Sequence, residues 1–139
     1  MRFTLNDALF AGRTGRGVTV AVLDSGIHGD HPHVGGVQGG MSFVGDASDD
    51  TLDRIGHGTA VAAAIREKSP DAALLAVRVF ERQLATNVDV LARAIAWAAD
   101  NGAALINLSL GTANAAHAAR LAEAVDYALG RGAVVVSAG

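Results

Sequence analysis

Short, uninterrupted apolar runs rich in β-branched residues recur along the chain, and longer segments of helical period separate them. The runs are Val18–Leu23, Ala73–Val79, Ala104–Ser109 and Ala133–Ser137. Runs that do not alternate with polar residues suit strands covered on both faces. Between them, Val88, Leu91, Ile95 and Ala98 share one helical face. Thr86 and Asp89 are spaced as a capping box, and Gly102 as a stop. Ala118, Leu121, Val125 and Ala128 repeat the spacing ahead of Gly130 and Gly132. A third helix is expected from about His57 to Arg66. Such alternation leads to right-handed βαβ units and a parallel sheet with helices on both sides. The expected fold is α/β, with three αβα layers around a mostly parallel sheet.

Residues 24–56 break the rhythm: they are rich in Gly, Asp and His, with one apolar piece at Met41–Val44. A connection this long and polar inside a compact domain is usually functional. The Gly12–Gly17 stretch reads as the lead-in to the first strand. Composition removes several classes of function. Half of the 139 residues are hydrophobic and 18% are charged, which excludes a disordered chain. A formal net charge of −3 gives no electrostatic reason to expect nucleic acid or an anionic membrane as partner. Cysteine is absent, which excludes disulfides and thiolate chemistry. No apolar run reaches the roughly 18 residues of a membrane-spanning helix. Met1–Asp7 lacks the apolar core of a secretory signal.

In open parallel sheets, working residues gather beyond the carboxyl ends of the strands. Asp24 follows the first run, in Asp24-Ser25-Gly26-Ile27. His57 stands in Gly56-His57-Gly58-Thr59, where the chain enters a helix. Asn107-Leu108-Ser109-Leu110-Gly111 turns polar at the end of the third run. Each has an ordinary structural reading by itself: a turn carboxylate, a loop histidine, a strand followed by a glycine turn. Taken together and in this order, they resemble the subtilisin-like serine proteases. The likeness extends through His31-Pro32, Ala76–Val79, Ile95–Ala98, Ala124–Asp126 and Val134–Gly139, and covers nearly the whole chain.

The resemblance implies roles. Asp24 would be the triad aspartate, accepting the imidazole Nδ1–H, and His57 the general base for a serine hydroxyl. Ser109, Leu110 and Gly111 would wall the primary specificity pocket and offer backbone groups to an extended peptide. Leu84, Ala85 and Thr86 would offer a second backbone edge, although this segment lacks the glycines usual there. No cofactor is implied, and the partner would be a peptide or protein substrate.

The departures shape the expectation. None of Ser25, Ser42, Ser48, Ser69, Ser109 and Ser137 has the Gly-Thr-Ser setting of the family nucleophile, and the chain stops where the oxyanion asparagine would follow. Residues 1–139 are thus expected to be the N-terminal part of a peptidase domain, truncated before its serine and inactive alone. The open apolar strand at Ala133–Ser137 is expected to favour association. Starting at Met1, with neither signal nor pro-segment, the chain is expected to be either cytoplasmic or cut short at both ends. Ala60 replaces a second histidine usual in the family, and the short span from His57 to Val77 predicts no calcium there.

Three other readings compete. His28, Asp30, His31 and His33 crowd one loop, a set of imidazoles and a carboxylate that suits zinc or nickel, but their spacing fits no established motif. A non-catalytic, subtilisin-like module that binds peptides is compatible with the missing serine. A nucleotide-binding domain fits the fold class but lacks the glycine-rich phosphate loop after its first strand.

Overall fold

The computed structural model describes residues 14–109 and 115–137. Five parallel strands of these residues form one sheet: β1 (Thr19–Asp24), β2 (Gly39–Ser42), β3 (Ala73–Arg78), β4 (Leu105–Leu108) and β5 (Val134–Ser137). Their spatial order is β2-β3-β1-β4-β5, and every pairing is parallel. Among the described residues three helices connect them: α1 (His57–Lys68), α2 (Val88–Asp100) and α3 (Ala115–Gly130).

Successive side chains of a strand point to opposite faces, and here each face meets a different core. Val20, Val22, Leu74 and Ala76 pack with Ile27, Val34 and Ala62, on the α1 side. Ala21, Leu23, Leu75 and Val77 point the other way, into a core built with Leu91, Ala94, Ile95, Ala98, Ala124 and Ala128. The result is the expected three-layer αβα arrangement, α1 on one face and α2 with α3 on the other. The parity also places Asp24, two residues beyond Val22, on the α1 side.

Several expectations change in detail. The cap of α2 is Asn87, whose Oδ1 accepts the Val90 N–H at 2.9 Å, and not Thr86. Asn87 is the last extended residue, so its side chain is the one placed to reach the third helical N–H. The inward stripe of α3 is Leu121, Ala124, Val125 and Ala128; Ala118 is exposed, one turn before the first residue that packs. The 24–56 connection contains the short strand β2, which extends the sheet past β3. β5 is not covered on both faces: it has only β4 beside it among the described residues, and Val134 is 51% exposed.

Candidate active site

β1 ends on Asp24, which is fully buried, between β3 and β4. The chain leaving β3 closes over its backbone: the N–H groups of Val79 and Phe80 donate to the Asp24 carbonyl at 2.8 and 3.3 Å. Its carboxylate accepts the Ser25 N–H at 2.7 Å. The Nδ1–H of His57 donates to both oxygens, at 2.8 Å to Oδ2 and 3.0 Å to Oδ1. A carboxylate can only accept, so this contact places the ring proton on Nδ1 and leaves Nε2 as the basic nitrogen. The histidine side chain is 43% exposed, which puts the ring across the boundary between core and solvent.

His57 is the first residue of α1, and the local sequence brings it there for steric reasons. Gly56 precedes it with φ 99°, a left-handed conformation that a side chain would strain, and supplies no side-chain cap. Gly58 follows, and a Cβ at that position would overlap the Gly26 carbonyl oxygen and sit 3.2 Å from Asp24 Cβ. The first turn of α1 therefore rests on the turn after β1, which brings imidazole and carboxylate together.

The capping acceptor that Gly56 lacks comes from Asp53, a residue that sequence reasoning missed. Its Oδ1 accepts the N–H of Ile55 (2.9 Å), the N–H of Gly56 (2.8 Å) and the Ser25 hydroxyl (2.8 Å). Its Oδ2 accepts the N–H and hydroxyl of Thr59, at 3.0 and 2.6 Å. Burial pushes the Asp53 carboxyl up, but the hydrogen bonds from Thr59, Gly56 and Ser25 outweigh it and hold the group below its ordinary 3.8. A helix entrance without a capping side chain is the sequence signal that could have pointed to a nearby carboxylate.

Of the other predicted residues, Ser109 lies at the same end of the sheet. Leu23 pairs with Leu108, and Ser109 follows the latter as Asp24 follows the former. The Asn107 amide donates to the Ser109 hydroxyl at 3.4 Å. Leu110 and Gly111 lie outside the described residues. Leu84 and Ala85 are exposed and Thr86 half-buried, in the connection from β3 to α2. Among the described residues no serine hydroxyl is hydrogen-bonded to His57.

A cavity of about 480 Å³ adjoins the start of α1, lined by His28, His31, Asp53, Gly56, Thr59, Ala60 and Ala63. Asp30 and His33 are not among its walls, and the His31 Nδ1 already accepts the His33 N–H at 3.1 Å. Among the described residues no group of three or more carboxylates and imidazoles could hold a metal ion.

Comparison with known proteins adds a family to this geometry. A family model described as the subtilase family matches residues 15–139. The alkaline protease of Alkalihalobacillus alcalophilus is 42% identical over 137 residues, covering 91% of this chain and 34% of that protein. Subtilisin Savinase of Lederbergia lenta is likewise 42% identical, covering 91% of this chain and 49% of that protein. Among solved structures, MycP1 with its N-terminal propeptide removed superposes with a TM-score of 0.75 at 33% identity. That match covers 90% of this chain and 44% of that one. The chain thus spans about a third to a half of the length of the curated relatives it matches.

Proposed function

The chain belongs to the subtilase family, and on that premise we propose that Asp24 and His57 are two members of an Asp-His-Ser triad of a serine endopeptidase. The observation that carries the reading is the 2.8 Å hydrogen bond from His57 Nδ1–H to a wholly buried Asp24. Nε2 of His57 would take the proton of a serine hydroxyl as that oxygen attacks a peptide carbonyl, and would later return it to the leaving amine. Asp24 would hold the ring in the tautomer that keeps Nε2 basic, and would stabilise the imidazolium while it exists. The nucleophile would be a serine outside these 139 residues, since no serine within them has the Gly-Thr-Ser setting.

The substrate would be a peptide or protein segment in extended form. Ser109, Leu110 and Gly111 would present one backbone edge to it, and Leu84, Ala85 and Thr86 another. The test is hydrolysis of an unfolded protein by the intact gene product that contains this chain. His57→Ala is expected to lower kcat about 100- to 10,000-fold, with KM little changed. Hydrolysis that survives His57→Ala, or an intact product that binds peptides and cleaves none, would overturn the reading.

A further inference from the structure

We infer that Asp53 and Ser25 form a positioning pair for the catalytic dyad, holding His57 and Asp24 in register through backbone hydrogen bonds on either side of the histidine; the inference rests on the triad reading above. Gly56 and Gly58 flank His57 in the chain. The Gly56 N–H donates to Asp53 Oδ1 at 2.8 Å, and the Gly58 N–H to Ser25 Oγ at 2.9 Å. Ser25 Oγ donates onward to Asp53 Oδ1 at 2.8 Å, so the two tethers are joined. The Ser25 N–H, in turn, holds Asp24 Oδ1 at 2.7 Å. Both ends of the dyad therefore hang from the same two residues.

The arrangement is specific to a carboxylate. Five donors converge on Asp53, three on one oxygen and two on the other. An asparagine amide would turn an NH₂ group toward N–H or O–H donors in either orientation, because its nitrogen cannot accept. A second link extends the network to the loop after β1: Thr59 Oγ1, which donates to Asp53, accepts the His28 N–H at 2.9 Å. Ser25 is 1% exposed, so water cannot replace its hydroxyl without a local opening.

The test reads the ring proton directly. In the full chain with ¹⁵N-labelled histidine, the Nδ1–H of His57 should appear as a far-downfield proton resonance that exchanges slowly with water. Asp53→Asn is expected to speed that exchange about tenfold or more, and Ser25→Ala by a smaller factor in the same direction. Asn87→Ala, which releases the cap of α2 away from the site, serves as the stability control and should leave the resonance unchanged. A wild-type exchange rate in both site variants would overturn the proposal. So would a loss that tracks unfolding stability equally in Asn87→Ala. The readout needs no hydrolysis: an inactive gene product that shows the expected pattern would sink the protease reading and leave the positioning pair standing.

Discussion

Gly58→Ala isolates the contact that seats His57 against Asp24. The added Cβ would fall onto the Gly26 carbonyl oxygen and reach 3.2 Å from both Gly26 C and Asp24 Cβ. These neighbours are backbone or fixed to it, so none can swing aside as the end of a long side chain could. Regaining ordinary contact requires the first turn of α1 to withdraw by about 1 Å, a strain comparable to overpacked cores that lose about 1–3 kcal/mol. Alanine offsets about 1 kcal/mol of that through its better helix propensity. The expected net loss is about 0–2 kcal/mol, read as a lower urea midpoint at unchanged slope. The effect on chemistry should be larger than the effect on stability. His57 moves with the turn, and its 2.8 Å bond to Asp24 would stretch beyond hydrogen-bonding range. A misplacement of about 1 Å at a catalytic group costs on the order of 100-fold in rate. An alanine variant as stable as wild type, with hydrolysis by the intact product undiminished, would show that the close approach does not seat the dyad.

Two further perturbations probe what surrounds the site. Arg66 donates to four backbone carbonyls, those of Val34 (2.7 Å), Pro70 (3.0 Å), Ala72 (2.5 Å) and Gly36 (3.3 Å). It thereby ties the loop after β1 to the entrance of β3. Arg66→Met should cost about 2–3 kcal/mol in urea unfolding, and Arg66→Lys should recover less than half, because one ammonium cannot span the four oxygens. Equal stability of Arg66→Met and wild type would remove the clamp from the account. The pH dependence of stability follows from Asp53, whose folded carboxyl is held below 3.8. A lowered folded value means the stabilisation is present above the unfolded value and is lost as pH falls through the folded one. Urea midpoints should therefore drop on acidification below about 3.8, and less steeply in Asp53→Asn; identical slopes would refute the assignment.

Which parts of this architecture were legible in sequence depends on how local their causes are. β1 and β3 announce themselves because both of their faces are buried, so their apolar runs are unbroken. Once β1 is placed, parity alone sends Asp24 to the face that α1 covers. β2 is hidden because two of its four residues are Gly39 and Gly40, and among the described residues it pairs with β3 alone. The cap of α2 was misplaced by one residue, since Thr86 and Asn87 are both good capping types and backbone conformation decides between them. Asp53 was missed for a different reason. It looks like any loop aspartate, and its importance comes from Ser25, 28 residues away, and from a helix entrance that has no cap of its own.

The two carboxylates near the start of α1 divide their work by capacity. Both lie where the helix N-terminus favours negative charge. Asp53 accepts five hydrogen bonds and has no lone pair left for an imidazole. Asp24 accepts one backbone N–H and the histidine, so the ring is its main partner in a place where an unpaired carboxylate would cost several kcal/mol. Burial thus drives Asp24 to hold His57, while saturation keeps Asp53 from competing for it. The ring is anchored on its buried side and 43% exposed overall. Its free Nε2 therefore faces away from the core, at the carboxyl end of the sheet where Ser109 and the β3–α2 connection emerge. On the triad reading proposed above, the serine would approach from there, along the same side as an extended peptide.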